Sequence, residues 1–151
     1  MIAAVIRPAT GDEAPAAAEV FLAARRAMED IAPMIHSADE TRRWMREVVF
    51  REHDVALAIM DGRIAGMMAT RPGWIDHLYI HPDFQGRGLG TALLHDAQRG
   101  ANGAFGLQLW TFQANAGARR FYARHGFVEV LFTDGSANEE RIPDVKLAWA
   151  P

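Results

Sequence analysis

The chain opens on a short apolar run, Ala3 to Ile6, that ends at Arg7-Pro8, and Thr10-Gly11-Asp12-Glu13 then has the capping-box spelling of a helix start. A strand and then a helix to about Met28 are predicted. The same spelling returns at Ser37-Ala38-Asp39-Glu40, after which Trp44, Met45, Val48 and Val49 recur at helical spacing and predict a second helix. Val55 to Met60 is apolar and runs into Asp61-Gly62, a hairpin signal, so Arg63 to Thr70 should return antiparallel beside it. After the turn Arg71-Pro72-Gly73, Trp74 to Ile80 reads as a further strand, stopped by His81-Pro82. From Gly88 the positions Leu89, Ala92, Leu93 and Ala97 are helical, ending near Gly100 to Gly103, and Phe105 to Thr111 alternates as a strand. That is a strand-helix-strand crossover. Asn115 to His125 predicts a last helix closed by Gly126, and Phe127 to Phe132 and Val145 to Trp149 predict the final strands around a polar loop, Asp134 to Pro143. The order is that of a mixed α/β fold with an antiparallel start.

Composition narrows the picture. A length of 151 residues suits a single domain over 1–151, and no repeat or linker divides it. Hydrophobic residues make up 50% and charged residues 23%, with no stretch near the roughly 18 apolar residues of a membrane span. A soluble chain without a membrane partner is expected. The amino terminus lacks the basic and long apolar segments of a secretion signal, which predicts a cytoplasmic location. With no cysteine, any thiol chemistry must come from a bound molecule. A formal net charge of −3 without a Lys/Arg cluster argues against nucleic acid as the partner. His77 and His81 stand four apart, about 13 Å on an extended chain, too far to share one ion, and no metal is expected.

The most informative stretch is Gln85-Gly86-Arg87-Gly88-Leu89-Gly90-Thr91, where glycines alternate at the passage from strand to helix. Glycines let backbone N–H groups converge on an anion, and the helix start adds unpaired N–H groups and the positive end of its dipole. A pyrophosphate suits such a cradle; a plain turn with a helix cap is the other reading of the same residues. The run lacks the Gly-Lys-Ser/Thr ending of a nucleoside-triphosphate loop, and a hairpin precedes its strand, so ATP and NAD fit poorly.

Leu78 to Leu94, with Gln85-Gly86-Arg87-Gly88-Leu89-Gly90 at its centre, resembles the acetyl-CoA motif of the GNAT superfamily, Gln/Arg-x-x-Gly-x-Gly/Ala. A second family motif is matched downstream by Asn115 and by Ala118-Arg119-Arg120-Phe121-Tyr122-Ala123-Arg124-His125-Gly126-Phe127. The resemblance implies a GNAT fold: one mixed sheet of about six to seven strands with four helices, and a splayed parallel pair at the CoA site. It implies that the segment Leu78-Tyr79-Ile80 binds the pantetheine arm, through backbone groups of Leu78 and Ile80, as a peptide adds to a strand edge. Gln85, Gly86, Arg87, Gly88, Leu89, Gly90 and Thr91 would take the pyrophosphate, Arg87 adding charge and Thr91 a hydroxyl. Asn115 looks like the family's side-chain contact to the cofactor and is equally a helix N-cap.

Acetyl transfer from a thioester to an amine requires a neutral amine, a polarised carbonyl and a proton donor for the thiolate. The family places its general acid at Tyr122, whose phenol, of pKa about 10, is protonated at neutral pH; a core tyrosine beside Phe121 and Phe127 is the plainer alternative. The resemblance makes Asp76 the first choice for base or proton relay, with substrate-ammonium binding or a structural hydrogen bond as its other roles. Alternation puts Trp74, Asp76, Leu78 and Ile80 on one face of their strand and Ile75, His77 and Tyr79 on the other, leaving His77 as a second candidate base. The carbonyl would be polarised by a backbone N–H near Ile80. Family members build the acceptor pocket from the first two helices, which nominates Met28, Met34, Ile35, His36, Trp44 and Trp74 as walls, and Asp39, Glu40, Glu47 and Asp76 as cation-attracting groups. The expected activity is acetyl-CoA-dependent N-acetylation of a small-molecule or protein amine, with a homodimer compatible. A CoA-binding regulatory module without catalysis is the alternative.

Overall fold

The computed structural model describes residues 4–101 and 106–151. The expected boundary residues Ala3, Gly103 and Phe105 lie outside them. Seven strands form one sheet in the order β1-β2-β3-β4-β5-β7-β6. They are β1 (Val5–Pro8), β2 (Asp54–Met60), β3 (Arg63–Arg71), β4 (Trp74–Ile80), β5 (Leu107–Phe112), β6 (Val128–Phe132) and β7 (Asp144–Trp149). Among the described residues four α-helical segments accompany them, with a short 3-10 turn at Pro82–Phe84. Helix α1 (Ala14–Ala27) follows a short turn over Gly11–Glu13; α2 (Ala38–Trp44) runs on through a π-helical turn at Met45–Val49 into Phe50–Glu52. Helices α3 (Leu89–Gly100) and α4 (Ala116–Arg124) flank β5 in sequence.

The local signals act as the sequence predicts. Glu13 accepts from the Thr10 N–H at 2.8 Å, while Ser37 and Glu40 cap each other reciprocally at 3.1 and 2.9 Å. Asp61 and Gly62 both adopt positive φ, 55° and 70°, as a tight hairpin between right-twisted strands requires. β1 to β4 are antiparallel neighbours; β4 and β5 are parallel, as the intervening helix demands.

Two apolar layers hold the sheet. On one side Ala17, Met45 and Val49 pack on Leu57 and Met67, and on the other Leu89, Leu93 and Leu94 meet Met68, Leu109 and Leu147. The weak seam is between β4 and β5. Among the described residues only Trp74 and Gln108 are in register there, supported by the Gln108 N–H donating to the Gly73 carbonyl at 2.9 Å. Beyond that pair the two strands part, and the splay positions the site.

β4 departs from the simple alternation that its sequence predicts. β4 carries a bulge: Ala69 pairs with His77 but Thr70 pairs with Ile75, so Asp76 is the extra residue. An added residue resets the alternation. Ile75 packs into the same layer as Leu78 and Ile80, and Asp76 lines one cavity with His77 and Tyr79. Asp76 therefore shares a face with His77, not with Leu78.

Candidate active site

The edge of β4 follows from its pairing with β3. The His81 N–H donates to the Ala65 carbonyl at 2.8 Å, which directs the backbone groups of residues 77, 79 and 81 toward β3. Those of Leu78 and Ile80 face the other way, into the splay. The Gln85 side chain already donates to the Ile80 carbonyl at 3.0 Å, tying the cradle to the strand end.

The cradle lies where β4 gives way to α3. Gly86 and Gly88 have φ of 76° and 79°, left-handed values that suit glycine, and Gly88 is the N-cap residue of α3. The first intrahelical bond there is Ala92 N–H to the Gly88 carbonyl, 3.0 Å, so the N–H groups at the front of the turn have no acceptor within the helix. Gln85 to Gly88 are exposed. Arg87 sits over the Phe84 ring at 5.4 Å with Asp61 3.7 Å away, a loose tether that leaves its charge beside the cradle.

Helix α4 is fastened to α3. The Thr91 hydroxyl and His125 Nε2 are 3.2 Å apart, Gln98 donates to the His125 carbonyl at 3.1 Å, and a Cβ on Gly90 would stand 3.4 Å from the Phe121 ring. Asn115 caps α4, its Oδ1 accepting from the Ala118 N–H at 3.1 Å, which leaves its amide nitrogen outside the cap. Tyr122 is buried between Phe121 and Phe127, with ring centroids at 5.1 and 5.5 Å. Burial pushes its phenol up, and Tyr79 adds to the shift, so the hydroxyl stays protonated at neutral pH.

A cavity of about 680 Å³ opens on the opposite helix layer, between α1, the start of α2, β4, β5 and the β6–β7 loop. Of the predicted walls it includes Met34, Ile35, His36 and Trp44, and of the predicted acids Glu40 and Asp76. Met28, Trp74, Asp39 and Glu47 are not among its lining residues; Trp74 instead stacks beneath Arg71 at 4.9 Å. The sequence reading missed Phe21, Arg25 and the contribution of the β6–β7 loop, Asn138, Glu139 and Glu140. Arg25 left a signal: it falls on the helical stripe of Ala14, Ala18 and Leu22, a cation in an apolar register.

Asp76 is a well-tethered carboxylate. It accepts from Arg71 Nε at 2.5 Å and Nη2 at 3.2 Å and lies 2.9 Å from His53 Nε2. Burial alone would raise its pKa, but the Arg71 and His53 hydrogen bonds and charges outweigh that and hold it below the usual carboxylate value. Its neighbour His77 is boxed by Trp44, Phe21 and Tyr79, with ring centroids at 5.1, 5.8 and 6.3 Å. Burial, reinforced by His53 and opposed by Asp76, pushes the imidazole down to about 4, so it is neutral at pH 7.

A family model described as an acetyltransferase (GNAT) domain matches residues 51–129. The chain is 28% identical over 135 residues to an uncharacterized N-acetyltransferase of Archaeoglobus fulgidus, a match covering 78% of this chain and 88% of that protein. It is 35% identical over 83 residues to uncharacterized N-acetyltransferase MJ1207 of Methanocaldococcus jannaschii, covering 46% of this chain and 37% of that one. In fold it is similar to apo YjaB from Escherichia coli, with a TM-score of 0.78, 22% identity and 97% of both chains covered. It is also similar to yncA of Salmonella typhimurium, a putative acetyltransferase solved with acetyl-CoA: TM-score 0.70, 18% identity, 97% and 92% covered. The matched model spans the strand, cradle and tyrosine helix described above, and on that ground the chain belongs to the GNAT acetyltransferase family.

Proposed function

We propose that this chain is an N-acetyltransferase that moves the acetyl group of acetyl-CoA directly onto a primary amine. The observation that carries the proposal is the convergence at one splay: a left-handed glycine cradle at the end of β4, and a cavity lined by Asp76, His77 and Tyr79 on β4 and by Trp110, Thr111 and Phe112 on β5. Leu78 and Ile80 take the pantetheine arm through the backbone edge that β3 leaves unpaired, the N–H groups of the Gln85–Thr91 turn take the pyrophosphate, Arg87 adds a cation, and the Asn115 amide contacts the arm.

Chemistry then divides among three side chains. The acetyl C–N bond forms as the C–S bond breaks, and Tyr122 gives the departing thiolate a hydrogen bond or proton. Asp76 holds the incoming ammonium. Its depressed pKa makes it a poor proton acceptor, and its negative charge instead favours an imidazolium on the adjacent His77. Moving a proton from an amine of pKa about 10.4 to an imidazole held at about 4 costs about 9 kcal/mol. That fits inside the barrier of about 16 kcal/mol that corresponds to ten turnovers per second.

The test is a screen of primary amines with acetyl-CoA, read as release of free thiol. Thiol release with at least one amine is expected, and Tyr122→Phe should lower kcat by about a hundredfold while acetyl-CoA still binds. Undiminished turnover in that variant removes Tyr122 from the mechanism. Tight acetyl-CoA binding without thiol release from any amine makes the protein a CoA-binding module instead.

A further inference from the structure

Arg25 lies on the last turn of α1 and points its charge into the cavity, with a side chain only 6% exposed. A guanidinium carries five N–H donors, and burying it is costly unless they are paired. Its pairing is sparse here. Among the described residues its carboxylate partner is Glu140, 3.8 Å away and beyond hydrogen-bond reach. The Tyr79 phenol lies close enough for the charge of Arg25 and a hydrogen bond from it to oppose the upward shift that burial imposes, and the Phe112 ring is 6.0 Å from the guanidinium carbon. Among the described residues no sealed side-chain nitrogen or oxygen lacks a partner, and Arg25 is one of the residues that line the open volume of the cavity.

Four of the five carboxylates that line the cavity are in the opposite condition. Asp76 is held by Arg71 and His53, Asp144 by the Thr133 hydroxyl and the Asn138 amide, Glu139 by His36 at 2.9 Å, and Glu40 by the Ser37 N–H at 2.9 Å. Each of these four acids already has donors, whereas Glu140 has only its long contact to Arg25, and the five donors of Arg25 share that contact and the Tyr79 phenol. Around it stand Phe21, Trp44, Trp110 and Phe112, apolar surface for the body of a small molecule.

We propose that Arg25 binds a carboxylate of the acetyl acceptor, so that the acceptor is an amino carboxylate with an apolar or aromatic body. The proposal rests on the N-acetyltransferase reading above and specifies its substrate. The acceptor's carboxylate replaces the distant Glu140 as the partner of Arg25, and its ammonium is drawn to Asp76.

Binding can be read without turnover, by calorimetry in the presence of free CoA, which has no acetyl group to give. The probes are L-phenylalanine and L-methionine, set against phenethylamine and L-phenylalaninamide, which lack the carboxylate. The amino acids should bind at least about tenfold more tightly, the scale of one charged hydrogen bond. Arg25→Gln should bring that ratio close to one, and Arg25→Lys should restore part of it. Because Arg25 is a buried side chain, Glu140→Gln supplies a second test at a more exposed position. It removes the internal competitor and should tighten amino acid binding. Equal affinity for the carboxylated and carboxylate-free probes, failure of both amino acids to bind, or weaker amino acid binding in Glu140→Gln overturns the proposal. Thiol release with amines that shows no carboxylate preference defeats this inference and leaves the transferase reading intact. Amino acid binding that follows Arg25 without thiol release does the reverse.

Discussion

His77 shows what a single buried side chain does to the whole protein. Its imidazole has a pKa near 6.5 when unfolded and about 4 when folded, because the aromatic box around it disfavours the charged form. Between those values the unfolded chain binds more protons than the folded one, so stability rises with pH through that window and is lost as pH falls from about 6.5 toward 4. The full shift is worth about 3 kcal/mol. Asp76 and Glu13, both with lowered carboxyl pKa, lose their contributions at lower pH still, so the two effects separate along the axis. Chemical denaturation at a series of pH values should show a decline across the histidine window, and His77→Gln should flatten it. An unchanged slope in that variant would show that the imidazole is not held neutral by the fold.

At the level of elements, two features control the cavity: the bulge in β4 and the loop between β6 and β7. The loop is pinned by Asn138, whose amide nitrogen donates to the Ile142 carbonyl at 2.7 Å and whose oxygen accepts from the Ile142 N–H at 3.2 Å. It can close so tightly because Gly135 has φ of 84° and a Cβ there would stand 2.3 Å from the Ile142 backbone. Gly135→Ala should therefore cost at least about 2 kcal/mol and loosen the wall that carries Glu139 and Glu140. The acceptor KM should rise more than the acetyl-CoA KM. Gly11→Ala, where an added Cβ meets nothing within 4 Å, is the control. Equal stability of the two variants would mean that the loop relaxes without strain.

These two elements also mark where sequence reading stops. The capping boxes, the Asp61-Gly62 turn and the Gln85–Gly90 cradle were legible because each is decided by residues a few positions apart. The bulge was not, since register is settled by which residue of β3 faces which of β4, and one extra residue moves Asp76 across the sheet. Glu139 and Glu140 reach the cavity through a loop far along the chain from Phe21 and Arg25, a proximity that no local pattern encodes. Tyr122 shows both sides: its packing beside Phe121 and Phe127 is the plain core reading, and it comes with a place in the motif helix that the catalytic reading requires.

Across the whole molecule, the sheet is two halves joined at a narrow seam. β1 to β4 pair continuously with one another, as do β5, β7 and β6, while a single registered pair, Trp74 with Gln108, connects the sets. Shared apolar packing does the rest, with Met68 and Ile75 from one half meeting Leu109 and Leu147 from the other. A ligand whose arm pairs with the free edge of β4 and whose far contacts fall on α4 adds a second bridge where the strands have parted. Binding to the folded state alone stabilises it by mass action, about 2.7 kcal/mol at a hundredfold excess over Kd. For a domain of this size that is a rise in Tm of about 5–11 °C. Acetyl-CoA should produce it in a thermal melt, whereas ATP at the same concentration, with phosphates but no pantetheine arm, should give only a small fraction. Equal shifts from the two ligands would reduce the cradle to a general phosphate site and detach the β4 edge from recognition. A full shift from acetyl-CoA that disappears in Leu78→Pro, which removes one outward N–H from that edge without touching the cradle, would tie recognition to the splay itself.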